Sequence, residues 1–172
     1  ASFRKFRLPG SASAVKEPRR TALGVLYEIM GNDVFEDPES VPVRFFSRQE
    51  LSVISRMLLR GIQSPWTSSA GRLFDAVASL SGLRQRMRFE GQAAMELEFA
   101  IGNENTVELY PFIVTDDADS DPSLSSSPMK SIDWEPTIRA ILRDVRNEIP
   151  LATIAIKFHN TLVDIIVDMA RR

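Results

Sequence analysis

Apolar residues at helical spacing, closed each time by a glycine, recur four times before residue 103, and this punctuation constrains the fold most. Pro18 suits a first helical turn. Ala22, Leu23, Leu26, Ile29 and Met30 then repeat along one face up to Gly31. Ser47 and Glu50 have the spacing of a capping box, opening a helix whose inner face is Leu51, Ile54, Met57 and Leu58 and whose stop is Gly61. A third helix is expected over Gly71–Leu80, before Gly82, and a fourth over Gln92–Ile101, before Gly102. Further on, Asp133 can cap a helix carrying Ile138, Ile141, Leu142, Val145 and Ile149. Pro150 breaks that helix and starts a last one, with a stripe from Leu151 through Ile154, Phe158, Leu162 and Ile165 to Met169. The last two helices are expected to pack as an antiparallel pair.

Extended structure is scarce. In the first 13 residues Phe3, Phe6 and Leu8 alternate with Arg4, Lys5 and Arg7 before the Pro9-Gly10 turn, which fits an edge strand or an arm. Thr106–Thr115 is rich in β-branched and aromatic residues, and Pro111 assigns it to a sheet edge. Lys130–Trp134 is its expected return strand, and residues 116–128, rich in Asp and Ser, are the expected flexible hairpin tip. The fold class is therefore mainly α with one β-hairpin, and 172 residues fit one unit with a core of its own.

Composition removes several functions. Without cysteine and with His159 as the single histidine, the chain offers no disulfide, no thiol nucleophile and no site needing two His ligands. A net charge of −2 gives no general field for nucleic acid. No apolar run reaches the roughly 18 residues of a membrane span. Phosphate-loop, dinucleotide-binding, nucleophile-elbow and HExxH signatures are all absent.

Some residues invite chemistry, each with a plainer alternative. His159, at the margin of the last apolar stripe, reads as a structural half-buried side chain. Thr67, Ser68 and Ser69 with Arg72 can form an anion site at a helix start, or simply cap that helix. Asp75 sits among Leu73, Phe74, Val77 and Ala78, where a carboxylate needs a partner. Ligand hydroxyls such as those of a ribose would serve, and so would Arg72 one turn earlier. Arg84, Arg86 and Arg88 read as a solvated surface that phosphate or RNA would suit less well. The acidic run from Asp116 to Asp121 reads as a loop tip rather than a cation site.

At Thr67–Leu83 (TSSAGRLFDAVASLSGL) and Phe89–Glu98 (FEGQAAMELE) the chain closely resembles the HypF family, the carbamoyltransferases of nickel–iron hydrogenase maturation. Three further pieces agree in order: Arg7–Gly10 followed by Glu17–Arg20, then Ile132–Pro136, then Phe158–Leu162. The same region is more distantly similar to the TsaD-type tRNA threonylcarbamoyltransferases. Both belong to the actin-like (ASKHA) ATPase superfamily, so the resemblance implies the helical portion of a Kae/TsaD-like domain.

What it implies for residues is specific. In those relatives a Phe-Asp pair on a helix, followed by a Gly-Gly turn, holds the ribose and base of an adenylate. Phe74-Asp75 and Gly91-Gln92 match that pattern, with Gln92 standing where the second glycine would be. Asp75, Gly91 and Gln92 are then nucleotide-binding, and Thr67, Ser68, Ser69 and Arg72 are phosphate-binding or structural. The implied reaction uses carbamoyl phosphate and ATP to make carbamoyl-adenylate, and transfers the carbamoyl group to the C-terminal cysteine of a HypE-type partner in the cytoplasm. Zinc and catalytic-metal ligands, and both phosphate loops, are expected outside residues 1–172, with no metal site in this fragment and no activity when it is isolated. A TsaD-like piece and a non-catalytic helical interaction module are the alternatives. The run Glu90–Ala94 (EGQAA) favours the HypF family.

Overall fold

A computed structural model describes residues 1–116 and 129–172. The chain begins with two short strands, β1 (Ser2–Phe3) and β2 (Phe6–Arg7), and a one-turn helix, α1 (Ala12–Lys16), that periodicity did not suggest. Helix α2 (Pro18–Met30) follows with Pro18 in its first turn, where the missing N–H costs nothing. Gly24 is where β2 crosses it: a Cβ there would stand 2.0 Å from the Arg7 carbonyl oxygen, so only glycine permits the contact. Two 3-10 segments, Gly31–Glu36 and Val43–Phe45, lead to α3 (Arg48–Arg60). Ser47 and Glu50 form both bonds of the capping box, and Gly61 ends the helix in the left-handed conformation.

Strand β3 (Trp66–Thr67) pairs antiparallel with β2, Phe6 opposite Thr67. Helices α4 (Ala70–Leu80) and α5 (Gln92–Ile101) come next, α4 lying along α2. The expected hairpin is present as β4 (Ile113–Asp116) and β5 (Lys130–Asp133), with Val114 opposite Ile132. β1 adds to it in parallel on the other side of β5, so the N-terminal segment contributes to two ladders rather than one. Apart from Asp116, which pairs with Lys130, the segment expected as a hairpin tip lies outside the described residues.

The strand expected over Thr106–Thr115 is shorter, for a physical reason. Its first residues give their backbone groups to the final helix. The Asn160 amide donates to the carbonyls of Thr106 and Glu108, and the Tyr110 N–H donates to Thr161 Oγ1 at 2.8 Å. With those groups satisfied, no ladder forms until Ile113.

Helix α6 (Glu135–Arg146) is reached through Asp133, whose carboxylate accepts the Glu135 N–H at 3.0 Å. Ile149 falls beyond its end, in the turn before Pro150. Helix α7 (Leu151–Arg171) packs chiefly against α5 rather than pairing mainly with α6. The core runs between these layers through Leu23, Leu26, Leu80, Leu97, Ile138, Ile141, Ile154 and Phe158, all buried.

Candidate functional site

The start of α4 is built from its own hydroxyls. Ser69 Oγ caps the helix by accepting the Arg72 N–H at 3.4 Å, and Thr67 Oγ1 closes the turn before it by accepting the Ser69 N–H at 3.2 Å. Ser68 is half-buried between them. Phe74 turns its ring toward α7, edge-on to Phe158 at 5.1 Å and to His159 at 5.5 Å. His159 is half-buried, with Nδ1 2.8 Å from the Ala155 carbonyl.

Asp75 is the anomaly. It is 1 % exposed, one turn after Arg72, whose Nη1 stands 3.0 Å from Asp75 Oδ2. The proximity makes an ion pair, yet the guanidinium N–H groups are not aimed at that oxygen. Nη1 donates instead to the Val15 carbonyl at 3.5 Å, and Oδ2 is left buried without a hydrogen bond. Burial pushes the Asp75 carboxyl up to about 7, with Arg72 opposing the shift and Glu90 adding to it. Glu90, on the exposed turn before α5, lies 4.0 Å from the other Arg72 nitrogen. The two readings of Asp75 therefore meet: Arg72 is beside it but leaves it unsatisfied.

Gly91 opens α5 with φ +83, a conformation glycine adopts without strain, and a Cβ there would meet nothing within 4 Å. The turn thus presents bare backbone to open space. Next to it Gln92 is buried and its side-chain amide is committed within the chain. Its Oε1 accepts the Arg88 N–H at 2.7 Å and its Nε2 donates to Glu96 at 2.8 Å. Glu96 in turn takes both arms of Arg84, and these bonds hold its carboxyl below the usual range. Arg84 is therefore not part of a solvated basic surface, whereas Arg86 and Arg88 are exposed. Periodicity and motif missed the bonding of Glu96 with Gln92 and with Arg84, which reads from sequence as solvated surface. The Gln92–Glu96 spacing of four, which stacks two polar side chains on one helical face, was the available signal.

Among the described residues, no group of three or more His, Cys, Asp or Glu side chains is placed to hold a metal ion. No described helix is long and apolar enough to cross a membrane.

Sequence and fold comparisons cover the stretch of chain that carries these residues. A family model described as "Carbamoyltransferase, Kae1-like Domain, second subdomain" matches residues 1–172. The chain is 35% identical to carbamoyltransferase HypF of Synechocystis over 184 aligned residues, which cover 100% of the chain and 22% of that protein. It is 33% identical over 89 residues to the probable carbamoyltransferase HypF of Methanocaldococcus jannaschii, covering 52% of the chain and 11% of the relative. It thus spans about a fifth of the length of the Synechocystis relative, and the match to the second is shorter still. A crystal structure of full-length HypF in its phosphate- and nucleotide-bound form superposes with TM-score 0.83 at 32% identity, over 99% of this chain and 24% of that one. The structure of HypF from T. kodakarensis, 24% identical, superposes with TM-score 0.64 over 89% of this chain and 19% of that one, and bears on fold alone. The helices that carry Asp75 and Gly91 are thus those of the second subdomain of a Kae1-like domain, and the chain belongs to the HypF carbamoyltransferase family.

Proposed function

We propose that this subdomain supplies one wall of an ATP site in a cytoplasmic enzyme that converts carbamoyl phosphate and ATP to carbamoyl-adenylate. The carbamoyl group then passes to the C-terminal cysteine of a HypE-type partner, for the cyanide ligands of hydrogenase iron. The observation that carries the reading is the buried Asp75 Oδ2, an acceptor without a donor on the helix next to the bare Gly91 turn. Two vicinal ribose hydroxyls are the donors such a carboxylate lacks, and bonds to an ionised acceptor are the strong kind. Gly91, without a side chain, lets the nucleotide approach backbone.

Ribose entry requires Arg72 to yield. Beyond the ion pair with Asp75 its guanidinium has only long contacts, 3.5 Å to Val15 and 4.0 Å to Glu90, so withdrawal gives up that ion pair but no short hydrogen bond. The displaced cation then stands near the adenylate phosphate, where it adds charge stabilisation. Thr67 and Ser69 fasten the end of α4 from which Arg72 projects. Metal ions, zinc included, belong to other parts of the parent protein, and the 172-residue chain alone is inactive. Carbamoyl phosphate-dependent ATP turnover by the purified chain would contradict that point.

The test is Asp75→Ala in the full-length parent. The reading predicts that the KM for ATP in carbamoyl phosphate-dependent ATP cleavage rises by tenfold or more, as expected for a lost charge-assisted bond worth about 1.5–3 kcal/mol. Cleavage with unchanged kinetics would assign Asp75 a structural role instead.

A further inference from the structure

The turn between α4 and α5 is fastened by side chains that the ribose reading does not use. Arg88, Phe89, Glu90 and Gly91 carry no buried side chain, and across the turn the backbone supplies one long bond, Gln92 N–H to the Phe89 carbonyl at 3.4 Å. The shorter fastening is Gln92 Oε1, which accepts the Arg88 N–H at 2.7 Å and closes a ring around Glu90 and Gly91. That amide is itself oriented. Its Nε2 donates to Glu96 Oε1 at 2.8 Å, and Arg84 fixes Glu96 with two bonds of 2.6 and 2.5 Å. Gln85 pins the same loop to α4 by exchanging bonds with Ser79, its Oε1 at 2.7 Å from the hydroxyl and its Nε2 at 2.9 Å from the carbonyl.

From this geometry we infer that Arg84, Glu96 and Gln92 are positioning residues, a clamp that sets the shape of the Glu90–Gly91 turn, and that the Gln92 side chain acts inside the protein rather than on the nucleotide. The inference rests on the ribose reading, because a clamp matters to ATP only if the turn borders it. The residue type follows from the bonds. An amide accepts from Arg88 and donates to Glu96 at once, whereas a carboxylate cannot donate and would face Glu96 as a like charge. Glycine does neither, so a glycine at this position would free the turn rather than improve it. Pre-shaping a binding loop lowers the ordering cost of the ligand, and its loss falls on affinity.

The experiment compares Gln92→Gly, Gln92→Glu, Arg84→Lys and Asp75→Asn with the wild type in the full-length parent. It reads ATP affinity by calorimetry, steady-state kinetics with ATP and carbamoyl phosphate, and thermal midpoints. The clamp predicts roughly tenfold weaker ATP binding for both Gln92 variants, the size of one lost hydrogen bond to a charged network. Arg84→Lys, which keeps the charge but loses the two-pronged geometry, should weaken binding less. The change should fall on the KM for ATP more than on kcat, and leave the KM for carbamoyl phosphate unmoved, which general destabilisation would not do. If Gln92→Gly does not fold, the near-isosteric Gln92→Glu carries the test. ATP binding by Gln92→Gly as tight as wild type or tighter, alongside a weakened Asp75→Asn, overturns the clamp and leaves the ribose reading standing. Full affinity in Asp75→Asn overturns the ribose reading itself.

Discussion

Two arginine–carboxylate corners in this chain have opposite chemistry. Where β5 meets α6, Arg4 donates to Asp133 at 3.1 Å and to Glu135 at 2.6 Å, and Arg139 donates to the other Glu135 oxygen at 2.8 Å. Asp133 also accepts the Glu135 N–H, and the Trp134 indole fixes the Arg4 carbonyl at 2.7 Å. The Glu135 carboxyl is held below its usual range, first by the bond from Arg4. On α4, Arg72 and Asp75 are about as close, 3.0 Å apart, but more deeply buried and without a hydrogen bond between them, and there the carboxyl is pushed up. Distance alone does not make a satisfied pair. The first corner is finished within the chain, and the second is unfinished in a way a ligand can complete.

The contrast can be broken by substitution. Arg72→Ala should have the largest effect, since it strips a buried carboxylate of its counter-charge, at about 3 kcal/mol in urea unfolding at pH 8. The loss should shrink at pH 5, where Asp75 carries a proton. Equal losses at both pH values would mean that Arg72 acts through packing. Asp75→Asn comes next and has the opposite sign. The Asp75 carboxyl sits at about 7 in the fold against an ordinary 3.8, so the folded state keeps a proton that the unfolded chain releases between those values. Stability therefore falls as pH rises through that window, and the penalty is complete above it. The Asn variant should match wild type near pH 4 and be the more stable of the two at pH 8. Parallel stability curves would contradict the placement of Asp75.

At the finished corner the effects should be smaller and the pH dependence reversed. Arg4→Ala should cost about 1 kcal/mol, because Arg4 is a third exposed and Glu135 keeps Arg139. The Glu135 carboxyl is lowered, so the stability it contributes is present above its unfolded value and fades as pH falls through the folded one. Arg139→Ala, an exposed pair four residues apart, should cost roughly 0.3 kcal/mol, near the limit of a careful melt. A loss at Arg139 larger than at Arg4 would invert this ranking.

Local rules carried most of the helices and little of the site. Ser47 with Glu50, Gly61, and Gln92 through Ile101 are visible because caps and periodicity act within a few residues. The strand before Ile113 was overestimated because its backbone partners, Asn160 and Thr161, are on a helix some fifty residues away. The choice at Asp75 between Arg72 and a ligand was open in the sequence, since spacing places an arginine nearby but does not aim its N–H groups. Gln92 was legible as a departure from a glycine pattern. Its use became visible only when Arg88, Glu96 and Arg84 were seen around it.

The most direct measurement is ATP affinity of the full-length parent, wild type against Asp75→Asn, titrated from pH 5.5 to 8.5. Ribose hydroxyls donating to an ionised Asp75 require the carboxyl to lose its proton on binding. Wild-type affinity should therefore rise relative to the variant through about pH 7, reaching roughly a tenfold advantage, with proton release seen in buffers of different ionisation heat. Equal affinity of the two proteins at every pH would contradict the assignment of Asp75 to the nucleotide.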